Sequence, residues 1–486
     1  MKFDIIIGCE VHVQLLTRTK AFCPCENRFG GEPNSRLCPV CVGLPGALPV
    51  TNRQMIDFAI RAGSALHCTI APLTKFDRKN YLYPDMPKGY QISQFDMPIC
   101  EHGYLEIPTE SGEEKKIRIL RAHLEEDAGK NIHMEDGSGL SRVDLNRCGT
   151  PLLEIVSEPD MRSPDEAVRY VQGLKDIMEW LGISDCNMEE GSLRCDANIN
   201  LWIYEDGKKY ATPIVEVKNM NSFRSMRAAL VWEVERQAEE WRQKRITLQQ
   251  SGKKTRGYDE KTGKTLLQRH KEEASEYRYF PEPDLKPIRI PAEHIAQIAA
   301  DLPELPAQMR LRLEKEYEVT PLDAEKLTSS RQMAEYFQAA CRGYGGEPKR
   351  IANWLLTEAG SVLNAAGIGI EDFSVPPEDI RALMEAVDKG TISGKIAKSV
   401  FTDMVETGKN PDAIIAEKGL TQIDDSEAIR AVITEVIDEN PKSADDYRGG
   451  KMNALSFLMG QVMKKTKGKA NPKLASDILK EELERG

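Results

Sequence analysis

The hydrophobic pattern changes period once along this chain, near residue 290, and that change limits the fold more than any other feature. Ahead of it, apolar residues recur at every second position, as a strand with one buried face requires. Across residues 5–14, Ile5, Ile7, Cys9, Val11 and Val13 share one face, while Glu10, His12 and Gln14 share the other. Residues 193–203 repeat the arrangement, with Cys195, Ala197, Ile199 and Leu201 inward and Arg194, Asp196, Asn198 and Asn200 opposite. A third strand, over 213–219, sets Glu216 beside Lys218. The expected sheet therefore has one apolar and one charged face. Between these strands a helix is expected over 163–181. Ser163 caps it, Pro164 and Glu166 complete its first turn, Val168, Val171, Leu174, Met178 and Leu181 form its stripe, and Gly182 ends it. A second helix is expected over 222–245. Beyond the proline-punctuated PEPDLKPIRIP the pattern is helical almost throughout, broken at 343–347, 375–378 and 410–411.

The expected fold class is therefore α+β, a mixed sheet-and-helix region followed by helices. At 486 residues the chain exceeds one ordinary hydrophobic core, and three domains are expected, over 1–292, 293–408 and 409–486. No apolar run approaches the roughly 18 residues that cross a bilayer. The opening MKFDIIIGCEVHV also lacks the small-residue cleavage site of a secretory signal. A cytoplasmic protein without membrane contact is expected.

Eleven cysteines, an odd number, suit thiols and metal ligands better than disulfides in a large chain of this kind. Four cluster in CPCENRFGGEPNSRLCPVC, as Cys23, Cys25, Cys38 and Cys41. Two close pairs on tight turns, separated by a loop, can bring four thiolates into the tetrahedron that structural Zn²⁺ prefers. Such a closed set leaves no open position, so the metal would brace the 23–41 loop rather than catalyse. Ordinary reduced thiols are the alternative.

Acidic residues recur on the expected strands. Glu10 and His12 point the same way, and in RILRAHLEEDAGK an extended chain puts His123, Glu125 and Asp127 on one face. Glu189 and Glu190 precede the strand carrying Arg194 and Asp196. Carboxylates, an imidazole and nearby cations are what a site needs to hold Mg²⁺ between phosphate oxygens. A solvated sheet face with surface ion pairs is the plain alternative. No standard phosphate loop accompanies them. GYDEKTGKT has five residues between Gly257 and Gly263 where four are required, and in GTISGKIAKS Ile396 follows Lys395. ATP, if bound, would lie on the open sheet.

A net charge of −11 argues against indiscriminate nucleic-acid binding and makes local charge decisive. From residue 447 to 476 there is no Asp or Glu, yet Lys464, Lys465, Lys467, Lys469 and Lys473 are all present. A helix burying Leu455, Leu458, Val462 and Met463, followed by KKTKGKANPK, would offer a positive surface to folded RNA. Otherwise it is a solvated lysine-rich face.

These segments resemble the GatB family of glutamyl- and aspartyl-tRNA amidotransferase subunits over nearly the whole chain. VDLNRCGTPLLEIVSEPD carries the family signature, with Asp144, Asn146, Arg147, Gly149, Pro151, Leu152, Glu154, Ser157 and Pro159 in place. GCEVHVQL, NYLYPDMPKGYQISQ, HLEEDAGK, EEGSLRCDANIN, EVKNMNSF, EYRYFPEPDL and YRGGKMNALSFLMGQVMKKTKGKANP are similar to other family motifs. The resemblance implies a glutamine-synthetase-like catalytic cradle, a helical domain and a YqeY-like tail that binds tRNA. It implies ATP- and Mg²⁺-dependent activation of the carboxylate of Glu-tRNA(Gln) or Asp-tRNA(Asn), a misacylated tRNA. Glu10, His12, Glu125 and Glu190 are then the expected metal and active-site residues, and Lys79, Lys88 and Arg194 the expected phosphate or substrate contacts. A GatA-type amidase releasing ammonia and a small GatC-type subunit are the implied partners, in a heterotrimer. The rival readings are a non-catalytic RNA-binding protein braced by zinc and a free-standing ligase for small carboxylic acids, which leaves the basic tail unexplained. A tRNA synthetase lacks support, since neither the HIGH nor the KMSKS signature occurs.

Overall fold

The structure, a computed structural model, describes residues 1–133, 140–270, 274–420, 426–466, 470 and 472–485. Two compact units divide the chain, Met1–Leu305 and Pro306–Gly486.

The first unit is built on a sheet of ten strands among the described residues. Those that bear on the site are β1 (Lys2–Gln14), β4 (Cys100–Pro108), β5 (Glu114–Glu126), β6 (Pro151–Ser157), β7 (Leu193–Glu205), β8 (Val215–Lys218), β9 (Lys254–Asp259) and β10 (Lys264–His270). Their order across the sheet is β10-β9-β8-β7-β1-β6-β5-β4, antiparallel except for the parallel β8 and β9. A separate small sheet carries β2 (Asp77–Asn80) and β3 (Tyr90–Ser93), with Phe280–Pro281 on the outer edge of β2.

One face of the main sheet is the core. Val11 and Val13 of β1, Ala122 and Leu124 of β5, Leu153 and Ile155 of β6, and Ala197 and Ile199 of β7 are all fully buried. They pack with Met55 and Ile60 of α1 (Arg53–Ala65), Val171 and Met178 of α2 (Pro164–Trp180), and Met226 and Leu230 of α3 (Phe223–Lys244). Each of the valine, leucine, isoleucine and methionine side chains contributes roughly 1.5–3 kcal/mol on burial. A one-residue slip of β1 would drive Glu10 and His12 into that layer, so the apolar half of the alternation fixes the polar half in space.

Helix termini follow the sequence. Ser163 accepts a hydrogen bond from Glu166 N at 3.1 Å, while the Glu166 carboxylate reaches past the cap to Arg162 N at 2.7 Å. Ser222 accepts from Ser225 N at 3.0 Å, and Arg245 ends α3 in the left-handed region. GYDEKTGKT turns out to be the hairpin joining β9 to β10, and GTISGKIAKS is a helix start, with Ser393 capping Gly394–Thr407. Helix Ala292–Ala300 packs with the first unit: His294 Nε2 lies 2.7 Å from Asp57 Oδ1 on α1, and Ile298 joins the core.

In the second unit helices run from Pro306–Tyr317 to the C-terminus. The last four, Ser426–Glu439, Pro441–Arg448, Asn453–Lys465 and Pro472–Arg485, enclose a core of their own around Ile433, Leu458, Val462 and Leu479. Among the described residues no helix is long and apolar enough to cross a membrane.

Candidate functional site

The polar face of the main sheet aligns one side chain from each of four strands. His123 of β5 pairs with Glu154 of β6, Glu154 with His12 of β1, and His12 with Arg194 of β7. His12 Nε2 lies 3.4 Å from Glu154 Oε2 and 3.7 Å from Glu125 Oε1, and His123 Nε2 lies 3.3 Å from Glu154 Oε2. Burial would push the His12 pKa down, but Glu154, by charge and hydrogen bond, and Glu125 raise it to about 9. Burial likewise works against a charged Glu154, yet His123 and His12 hold its carboxyl well below the usual range. A carboxylate taken out of water costs several kcal/mol unless paired, and here two imidazoles flank it.

His12, Glu125 and Glu154 place one nitrogen and two carboxylate oxygens within 4.8 Å of one another, a group that can hold a metal ion. One imidazole and two carboxylates suit Mn²⁺ and Zn²⁺ as well as Mg²⁺, which prefers oxygen. On the same face of β7, four residues from Arg194, Asn198 donates to Glu10 Oε1 at 2.9 Å, and Asn198 Oδ1 is buried without a hydrogen-bond partner among the described residues. That orphaned oxygen supplies the donor a hard cation takes.

The expected residues do not all converge on this group. His12 and Glu125 lie in the cluster, with Ser93 Oγ of β3 donating to Glu125 at 3.3 Å. Lys79 of β2 faces it: burial alone would lower its pKa, but Glu125, Tyr279 and Glu154 raise it, so the ammonium persists. Arg194 holds Asp127 at 3.0 Å, and Asp127 also accepts from Gln14 at 2.8 Å. Glu10 is two residues from His12 on the same face of β1, outside the metal-ligating group. Glu190 is exposed on the turn that leads into β7, its amide held by Asn187 at 3.3 Å. Lys88 pairs with Glu126, whose carboxylate also accepts from Ile92 N at 2.9 Å; burial would lower the Lys88 pKa, and Glu126 raises it.

Glu154 is the member that strand alternation did not single out. PLLEIVS reads as a buried apolar strand, and a lone carboxylate within it was the available signal.

Cys23, Cys25, Cys38 and Cys41 form the other group, their sulfurs within 4.8 Å of one another. Zn–S bonds of about 2.3 Å in a tetrahedron put sulfurs about 3.8 Å apart, and Cys38 and Cys41 stand at 3.8 Å. A hydrogen bond from Cys23 lowers the Cys41 thiol to about 5 against the effect of burial, with Cys38 N and the Lys20 charge adding to it. Burial and Cys38 raise Cys25 to about 11. The four thiols can therefore bind a metal such as zinc. Their loop abuts Lys88 through Gly43, and Cys148 Sγ, beside Glu126 and Lys88, donates to Cys41 O at 3.3 Å.

Of the tail lysines, Lys464 is exposed, and Lys465 bridges Glu435 at 2.8 Å and Glu439 at 2.7 Å. Lys467 and Lys469 lie outside the described residues, as does the side chain of Lys473.

Comparison with known proteins agrees with this layout. The GatB/GatE catalytic domain matches residues 5–296, and the GatB domain matches 335–483. Proteins named as the B subunit of an aspartyl/glutamyl-tRNA(Asn/Gln) amidotransferase match end to end. The one from Treponema denticola is 48% identical over 99% of this chain and 98% of its own length. Those from Carboxydothermus hydrogenoformans and Borreliella burgdorferi are 50% identical, each over 99% of both chains. The main sheet and its charged row fall within the first matched segment and the closing helical bundle within the second, and the chain belongs to the GatB family of tRNA-dependent amidotransferases.

Proposed function

We propose that the first unit phosphorylates the side-chain carboxylate of a misacylated tRNA, Glu-tRNA(Gln), Asp-tRNA(Asn) or both, with ATP, and that ammonia then displaces the phosphate to give the amide. The observation that carries this reading is the convergence of His12, Glu125 and Glu154 from three strands beside the half-buried ammonium of Lys79. A free carboxylate does not acylate ammonia, because oxide is not expelled. Attack by its oxygen on the γ-phosphorus, with release of ADP, turns that oxygen into a phosphate leaving group. Attack by the ammonia lone pair on the carbonyl carbon then breaks the bond to phosphate, and a proton is lost from nitrogen.

His12, Glu125 and Glu154 would hold Mg²⁺, with Glu10, the Asn198 oxygen and Glu190 as further contacts to metal or substrate. When bound, the metal spreads negative charge over the phosphoryl oxygens. Lys79 stays protonated and offsets charge on the same group. Lys88 and Arg194 contact phosphate or substrate, each held in place by its carboxylate partner, Glu126 and Asp127.

Ammonia arrives from a partner, since no glutaminase motif is legible in this chain. The relatives' names make each of them one component of a larger enzyme, which fits a GatA-type amidase and a small GatC-type protein as the other components. In this reading the first domain, 1–292, is a glutamine-synthetase-like cradle, zinc braces the 23–41 loop, 293–408 is a helical domain, and 409–486 is a YqeY-like module. Lys464, Lys465, Lys467, Lys469 and Lys473 meet the tRNA backbone from that module, in a cytoplasmic heterotrimer.

In the reconstituted complex, Glu125→Ala is expected to abolish tRNA-dependent ATP hydrolysis and leave the partner's glutaminase intact; amide formation at the wild-type rate would end the assignment. Deletion after residue 410 should weaken tRNA binding and flatten its salt dependence, and unchanged affinity would remove the tail from the reading.

A further inference from the structure

His123 of β5 stands in the charged row, yet the reaction proposed above gives it no task. The residue is 3% exposed, and its two ring nitrogens meet different surroundings. Nδ1 is buried without a hydrogen-bond partner among the described residues. Nε2 faces carboxylates, with Glu154 Oε2 at 3.3 Å and Glu125 Oε2 at 3.9 Å. Buried polar atoms in a folded chain are paired, and an exception calls for a reason. This ring leaves one nitrogen unsatisfied while the other meets Glu154.

Glu154 Oε2 is shared, because His12 Nε2 lies 3.4 Å from the same oxygen and both imidazoles hydrogen-bond to this carboxylate. The two rings differ once a cation is considered. Nε2 is the His12 nitrogen turned toward Glu125 and Glu154, the two carboxylates with which His12 can hold a metal ion. An imidazole nitrogen that gives its lone pair to a metal carries no proton and cannot donate a hydrogen bond. Loading therefore removes His12 as a donor to Glu154. His123 lies outside the metal-ligating group and keeps its hydrogen bond, its place opposite Glu154 fixed by the pairing of β5 with β6.

A ligating carboxylate can turn its oxygens away from the ion unless a neighbour holds it, and loss of such an outer partner costs about 10–100-fold in metal affinity. We infer that His123 is a positioning residue for the metal-binding group: its Nε2 holds Glu154 Oε2 and keeps the carboxylate aimed at the cation that His12 and Glu125 share. This role rests on the reading given above, in which that group holds Mg²⁺. It adds no ligand; it fixes the direction of one already there.

The test is Mn²⁺ binding to the full-length chain, read by electron paramagnetic resonance. His123→Gln puts an amide N–H near the place of Nε2, His123→Asn puts one near the place of Nδ1, and His123→Leu offers no donor. His123→Gln should bind Mn²⁺ within about threefold of the unsubstituted chain, and His123→Asn and His123→Leu about 10–100-fold more weakly. In the reconstituted complex the Mg²⁺ concentration giving half-maximal amide formation should rise by the same factors, with the rate at saturating Mg²⁺ largely kept. Wild-type Mn²⁺ affinity in His123→Leu overturns the inference, as does an equal loss in His123→Gln, which would make the ring itself a ligand. A lower urea midpoint in all three variants with unchanged Mn²⁺ affinity would assign His123 to packing alone. Failure of the metal reading shows separately, as Mn²⁺ binding that His12→Ala leaves unaltered, and it removes this role as well.

Discussion

Replacing Gly43 by alanine probes how the cysteine loop supports Lys88, and Gly46 supplies the control within the same loop. Both glycines are left-handed, with φ of 69° and 86°. A side chain in that region costs about 1–2 kcal/mol, and nothing lies within 4 Å of a Cβ at Gly46, so Gly46→Ala should lose about that much. At Gly43 the new carbon would stand 2.5 Å from Lys88 Cγ and 3.1 Å from Lys88 Cα. Carbon atoms rest about 3.5–4.0 Å apart, so the Lys88 stem must retreat by about 1 Å or more, and its backbone cannot stay fixed. Overpacking of that kind adds about 1–3 kcal/mol, for a total of about 2–5 kcal/mol. Urea unfolding followed by tryptophan fluorescence reads the difference, because four of the five tryptophans, Trp180, Trp202, Trp232 and Trp241, lie in the first unit. Displacement of Lys88 from Glu126 should also slow amide formation in Gly43→Ala and spare Gly46→Ala. Equal destabilisation by the two substitutions would refute the argument that the loop presses on Lys88.

Metal analysis of the purified chain should find one zinc, lost in Cys41→Ser; a metal-free wild type whose four thiols titrate without denaturant would contradict the cysteine reading. Asp160 receives two hydrogen bonds from the Arg118 guanidinium, at 2.8 and 2.7 Å, and that bond keeps its carboxyl below the usual range. A depressed carboxyl contributes stability that is complete above the unfolded value of about 4 and is lost as pH falls through the lower folded value. Asp160→Asn should therefore lower the urea midpoint at pH 7 and do so much less at pH 3, and an equal deficit at both would show that the ion pair carries none of the effect.

Much of the first unit was readable because alternation of side chains is local. Ile5 to Val13 had to face a core, which forced Glu10 and His12 outward, and Ser163 and Ser222 announced their helices. What escaped depends on pairing between distant segments. Glu154 looks like an intruder in PLLEIVS until β6 is laid between β1 and β5, when it becomes the link between His12 and His123. Glu125 and Glu126 are adjacent in sequence yet serve different partners, the first Ser93 and His12, the second Lys88 and Ile92, and only the fold separates them. Helix Ala292–Ala300 has the period of the region that follows it, but His294 and Ile298 tie it to α1 and the first core. Lys465 belongs to a basic stretch by sequence and to Glu435 and Glu439 by packing.

The place of β1 at the heart of the main sheet governs how the chain is made. Its first strand leaves the ribosome long before either neighbour exists, since those neighbours are residues 151–157 and 193–205. At synthesis rates of about 5–20 residues per second, this apolar edge waits about 10 seconds or longer for its partners, a window in which chaperones or aggregation compete for it. The charged row is likewise incomplete until Arg194 has been added opposite His12.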